Sequence, residues 1–164
     1  MTGCALRFVP LSAYHDRSTF ASGSEPLDNY FRQRVNQDIR RRVAACFVAI
    51  TPDDRVAGYF TLASASLVLA QLPPETARKL PRYPTIPAVR LGRLAVDKAF
   101  RGQGLGGAML ADALARAARS EIAAFAMTVD AKDESALTFY LHHGFIPLLD
   151  SPMALFLPLA TVSP

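Results

Sequence analysis

The sequence predicts an α/β fold in which a central sheet is covered on its faces by helices. Two observations carry this. In the second half of the chain, short apolar runs alternate with stretches of helical length and composition, the pattern of strands interleaved with helices. In the first half, an amphipathic helical stretch precedes two apolar runs separated only by the turn sequence TPDDR, which reads as a hairpin. The chain has 164 residues, 51% hydrophobic and 20% charged, with a mean hydropathy of +0.17. That length and balance fit one domain spanning 1–164 with a substantial core, and they exclude a charge-dominated disordered chain.

CALRFVPL reads as an opening strand from Cys4. SEPLDNYFRQRVNQDIRRR reads as a helix, with Ser24 placed to cap it, Pro26 in the first turn and Asp28 at the positive helix end. Its apolar residues Leu27, Tyr30, Phe31, Val35 and Ile39 share one face. VAACFVAI and VAGYFTLASASLVL form the hairpin. The proline-rich QLPPETARKLPRYPTIP crosses the surface as a short helix followed by extended chain. AVRLGRLAV is a strand, GLGGAMLADALARAARS a helix, EIAAFAMTVD a strand, KDESALTFYLHH a helix, and GFIPLL and MALFLPLA the last two strands. Gly144 stands where a helix-terminating glycine belongs.

MTGCALRFVP lacks the basic start and apolar centre of a signal peptide. The longest apolar run, near LASASLVLA, falls short of the roughly 20 residues that cross a bilayer. Cys4 and Cys46 carry no metal spacing. A reduced, cytoplasmic protein without a metal is therefore expected. The net charge is +4 and the pI about 9.4, with arginine supplying most of the positive charge. This fits either an arginine-rich solvated surface or a polyanionic partner, because guanidinium pairs bidentately with phosphate.

Four glycines, Gly102, Gly104, Gly106 and Gly107, crowd the junction between a strand and a helix. Glycine in a helix interior costs roughly 1 kcal/mol against alanine, so such a cluster serves a backbone that side chains would obstruct. Strand, glycine turn and helix N-terminus together make an anion site, through free amide N–H groups and the helix dipole. A phosphate loop of the Gly-Lys-Ser/Thr kind is excluded, because the helix continues Gly107-Ala108-Met109. A dinucleotide fingerprint fits as Gly102-x-Gly104-x-x-Gly107, yet three strands and a helix precede it, against that fold's order. Tight packing alone also remains open at this point.

RGQGLG, however, matches an Arg/Gln-x-x-Gly-x-Gly/Ala signature as Arg101-x-x-Gly104-x-Gly106, and DESALTFYLHHGF matches an A-x-x-FY-x-x-x-GF segment at the expected separation. With LGRLAVD as the preceding strand, the chain resembles the GNAT family of N-acetyltransferases over most of its length. The resemblance implies a mixed, mostly antiparallel sheet of about six to seven strands flanked by helices, with a splayed strand pair holding acetyl-CoA. It implies that Arg101, Gly102, Gln103, Gly104, Leu105, Gly106 and Gly107 bind the cofactor's diphosphate. Leu94, Ala95 and Val96 would bond the pantetheine arm through their backbone, with Phe139 beside it. Tyr140 would give the departing thiolate its proton. His142 and His143 read as surface residues near a helix end, and Cys46 as core.

SGSEPLDNYFRQRVNQD, LPRYPTIPAVRLGRLAVD and VDAKDESALTFYLHHGF are moreover similar to the TacT-type toxins of bacterial toxin–antitoxin pairs. That resemblance implies acetylation of the α-amine of aminoacyl-tRNA, a ribbon-helix-helix antitoxin and a homodimer. Arg78, Lys79, Arg82, Arg90 and Arg93 are the expected tRNA contacts, and Arg40-Arg41-Arg42 either adds to them or compensates a helix dipole. An α-amine with a pKa near 8 is partly free at neutral pH, whereas a lysine near 10.4 is not. The lack of an evident general base is then tolerable. Acetylation of a small amine or a protein N-terminus is the alternative within the enzymes, and a non-catalytic CoA- or RNA-binding module is the alternative outside them.

Overall fold

The computed structural model describes residues 5–162; Cys4, where the opening strand is expected to begin, lies outside them. The strands are β1 (Arg7–Pro10), β2 (Ala45–Ile50), β3 (Val56–Val68), β4 (Thr85–Val96), β5 (Ala126–Asp130), β6 (Ile146–Leu148) and β7 (Ser151–Pro158). They order as β1-β2-β3-β4-β5-β7-β6 in one mostly antiparallel sheet. The helices are α1 (Glu25–Asn29), α2 (Val35–Arg40), α3 (Pro74–Ala77), α4 (Leu105–Arg119) and α5 (Glu134–His142). The α/β class and its helix-flanked sheet match the expectation. The chain groups into two compact units, one holding residues up to Ala63 together with Gly92–Ala113, the other Ser64–Leu91 and Leu114 onward.

In the first unit, β2 and β3 form the expected hairpin, in register from Ala45↔Leu62 to Ala49↔Gly58. Its core is aromatic. Phe31 stacks on Tyr59 at 4.2 Å between ring centroids, and Phe20 meets both edge-on at 5.0 and 5.6 Å. Such pairs add about 0.5–1.5 kcal/mol each beyond their buried area. The helix expected over Ser24–Arg42 differs in two respects. Ser24 stands at the cap position in extended conformation, but its side chain makes no cap bond. Between α1 and α2 the chain also widens into a π turn, Tyr30–Arg34. The reason is local: Arg17 donates to the Phe31 carbonyl at 2.7 Å, and the Val35 N–H turns to the Tyr30 carbonyl instead. A captured carbonyl of this kind displaces the regular ladder.

The second unit is built on Leu67, Leu72, Ala88, Ala126, Leu148 and Phe156. The proline-rich segment is closed at its base by Leu69 N–H donating to the Pro84 carbonyl at 3.0 Å. Strand β4 begins at Thr85, earlier than its apolar run, and β5 begins only at Ala126, later than Glu121. Ile122, which the apolar pattern puts in a strand, is 83% exposed. Only Ala126–Val129 are buried throughout, and that burial is what sets where β5 starts.

Candidate active site

Strand β4 ends at Val96, a 3-10 turn Lys98–Phe100 follows, and α4 starts at Leu105. Between them Gly102 and Gly104 have φ of +77° and +76°. This left-handed backbone is open to glycine and costly for side chains. A Cβ at either position would meet nothing within 4 Å. These two glycines therefore serve a backbone shape bordering open space, and tight packing does not explain them. Gly106 and Gly107 lie in the first turn of α4, whose early N–H groups have no helical acceptor. Leu105, by contrast, is buried and anchors the helix start. Arg101 donates through its guanidinium to the Ser22 carbonyl. Its charge is thus held at the edge of the loop by the chain around Gly23, whose own φ is +95°. The residues present fit a diphosphate: free amides, no side chain in the way, and one nearby guanidinium.

Leu94, Ala95 and Val96 form the end of β4. Within the second unit, β4 pairs in parallel with β5 from Ala88↔Ala126 to Arg90↔Thr128. In the first unit, Gly58 on β3, which sequence reasoning does not single out, lets the Ala95 backbone come close. A Cβ there would stand 2.6 Å from the Met109 sulfur and 2.9 Å from the Ala95 carbonyl. The available signal was a lone glycine inside a strand pattern, which marks close approach of another element.

Tyr140 sits on the last turn of α5, and that helix end is fixed by a hydrogen-bond pattern. Phe145 N–H donates to the Tyr140 carbonyl at 3.1 Å, and Gly144 N–H to the Leu141 carbonyl at 3.1 Å, with Gly144 at φ +91°. This is a Schellman end, completed by the expected apolar contact: the rings of Tyr140 and Phe145 lie 5.4 Å apart, edge to face. The glycine of the GF pair thus terminates the helix, and its phenylalanine braces the tyrosine. Phe139 packs edge-on against Tyr140 at 5.2 Å. The Tyr140 ring is buried, and burial pushes its hydroxyl up to about 12. It holds its proton throughout the neutral range. No described residue hydrogen-bonds to that hydroxyl.

The sequence pattern of the acetyltransferase (GNAT) domain matches residues 18–154. The chain belongs to the GNAT acetyltransferase family. Two relatives narrow the likeness. A probable toxin TacT of Sinorhizobium fredii is 32% identical, over 98% of this chain and 96% of its own length. A tRNA-acetylating toxin of Mycobacterium tuberculosis is 36% identical, over 82% and 81%. Among solved structures, AtaT complexed with acetyl-methionyl-tRNAfMet superposes with a TM-score of 0.88 at 32% identity, covering 96% of each chain. AtaTR bound with AcCoA gives 0.83 at 31% identity, over 96% and 95%. An AtaT mutant toxin bound to the C-terminus of the antitoxin AtaR gives 0.81 at 28%, again over 96% and 95%.

The five cations of this GNAT chain expected to meet tRNA separate into two groups. Arg90 pairs with Asp130 at 2.9 Å, and the Arg93 guanidinium lies 3.5 Å from the Tyr30 ring centroid. Both have partners within the protein. Arg78, Lys79 and Arg82 form no ion pair among the described residues. Arg78 and Arg82 line an open groove of about 750 Å³ whose floor is apolar, with Leu72, Ala77 and Leu149. Tyr83, 63% exposed, stands in the same groove; sequence reasoning did not single it out. His142 and His143 are exposed, as expected. The Cys46 thiol is pushed up to about 12 by burial and has no nucleophilic character at neutral pH. No group of three or more potential metal ligands occurs among the described residues, and no helix there is long and apolar enough to cross a membrane.

Proposed function

We propose that this GNAT enzyme is a toxin that acetylates the α-amine of an aminoacyl-tRNA from acetyl-CoA and thereby blocks translation. The observation that carries the cofactor assignment is the loop with open left-handed glycines leading into the free amides of α4. In this reading Arg101–Gly107 holds the diphosphate. Backbone groups of Leu94, Ala95 and Val96 hold the arm, and Phe139 packs near it. Acetyl-CoA supplies an acetyl group already activated as a thioester. Tyr140 holds at its Oη the proton that the departing thiolate requires, and burial keeps that proton in place until it is needed. The substrate assignment is supported by the tRNA-acetylating relatives and by the unpaired cations Arg78, Lys79 and Arg82. An α-amine with a pKa near 8 or below needs no strong base, which agrees with a site where none is evident. A homodimer and a ribbon-helix-helix antitoxin in the cytoplasm complete the proposal, on the likeness to the toxin relatives.

The test is substrate discrimination with purified protein and acetyl-CoA. Charged tRNA should be acetylated, while uncharged tRNA, lysine peptides and small amines should not. Gly104→Val, which adds a side chain to the open loop, should weaken calorimetric acetyl-CoA affinity by about tenfold or more. Acetylation of small amines with charged tRNA left untouched would reject the substrate, and unchanged affinity in folded Gly104→Val would reject the loop.

A further inference from the structure

We infer that Asp97 is the positioning residue of the cofactor loop, and that it acts through a brace formed by residues 20–24; this rests on the diphosphate assignment above. Asp97 follows directly on β4 and is buried to 4% exposure. Its carboxylate divides its two oxygens between two jobs. One accepts from Ala99 N–H at 2.9 Å and so caps the turn Lys98–Phe100 that leads into the glycines. The other accepts from Ala21 N–H at 3.1 Å, far away in sequence. Around it, Lys98 N–H donates to the Ala21 carbonyl at 2.9 Å, and Asp97 N–H donates to the Ala57 carbonyl at 2.9 Å. Arg55, with a nitrogen 3.8 Å from the carboxylate, balances part of the buried charge.

The brace is itself fixed. Asp28, also buried, accepts from Ser22 N–H at 3.0 and 3.1 Å and from the Ser22 hydroxyl at 2.6 Å. This explains why Asp28, expected at the helix end for its charge, is needed there for a different reason. Arg101 then donates to the Ser22 carbonyl, and Gly23 leaves the room, since a Cβ there would stand 2.6 Å from the Arg101 guanidinium. The turn from β4 to the glycines is thus held at its first residue by Asp97 and at its last by Arg101. Both hold it against the same short segment. A loop that presents backbone amides has no side chain with which to correct its aim, so its precision depends on such supports. Asp97 and the brace therefore set where the loop amides point relative to the end of β4, without touching the cofactor.

The experiment compares two donors, acetyl-CoA and acetyl-pantetheine, which lacks the diphosphate, with charged tRNA as acceptor. Asp97→Asn keeps the shape but turns one acceptor oxygen into a donor that faces an N–H. Its KM for acetyl-CoA should rise by about tenfold, with kcat at saturation changed little. Its rate with acetyl-pantetheine should match the wild type. Gly23→Ala, which crowds Arg101 from the far side of the brace, should act in the same direction and serves if Asp97→Asn does not fold. Equal losses with both donors, or no change with either, would overturn the inference. A wild type that uses acetyl-pantetheine as well as acetyl-CoA would remove the diphosphate assignment itself, and the brace with it.

Discussion

On the last turn of α5 the Tyr140 ring is buried between Phe139 and Phe145, 5.2 and 5.4 Å away between ring centroids. That burial raises the hydroxyl to about 12 and has two consequences. The phenol stays protonated, so an alkaline loss of activity below pH 10 does not belong to it. Burial of the neutral form also contributes stability that is complete below the ordinary pKa of 10 and is lost as pH rises through about 12. Tyr140→Phe keeps the ring and its contacts with Phe139 and Phe145. It should fold, bind acetyl-CoA with unchanged affinity, and turn over about 10²–10⁴-fold more slowly, read by steady-state kinetics beside calorimetry. At the same scale, the sequence shows Arg90 and Arg93 as cations but not what they meet within the protein: Asp130 for Arg90, and the Tyr30 ring for Arg93. Contacts so distant in the chain leave no local signal.

At the scale of elements, the strands and helices of regular period were legible, and the departures arise where a side chain intervenes in the backbone. The π turn at Tyr30–Arg34 follows from Arg17 taking the Phe31 carbonyl, which no periodicity reveals. Helix ends were legible where glycine marks them. Gly144 ends α5 as expected, but α2 ends in the same way on a residue that carries no such mark. Arg42 sits at φ +61°, with its N–H donating to the Ile39 carbonyl at 3.1 Å and Val43 N–H to the Asp38 carbonyl at 3.0 Å. The two ends give opposite predictions. Arg42→Gly should raise stability by about 1 kcal/mol, because glycine adopts that backbone freely. Gly144→Ala should lower it by a similar amount, about 1 kcal/mol, and should slow turnover further by loosening the helix end that holds Tyr140. Denaturant midpoints at equal m-values would read both.

For the whole molecule, composition left open whether the positive charge is surface or footprint, and the fold divides it. Once paired arginines are set aside, Arg78, Lys79 and Arg82 form no ion pair among the described residues, on a segment that carries the exposed Tyr83 and a groove. Replacing these three with alanine should weaken tRNA binding. The slope of log affinity against log salt should become shallower by about one for each phosphate that these side chains neutralise. Acetyl-CoA affinity should stay as in the wild type. An unaltered slope in filter-binding or fluorescence titrations from low to high salt would return the segment to ordinary solvated surface.

The proposed toxicity comes down to one bond, formed between an acetyl carbon and the α-nitrogen of an amino acid still esterified to tRNA. Mass spectrometry can read it in the aminoacyl-adenosine released by nuclease from tRNA of cells that express the protein without an antitoxin. Wild type should yield an aminoacyl-adenosine heavier by one acetyl group on its α-amine as translation arrests. Tyr140→Phe, expressed to the same level, should yield none and let the cells grow. Arrest without acetylated aminoacyl-tRNA, or the same product in equal amount from Tyr140→Phe, would contradict the account.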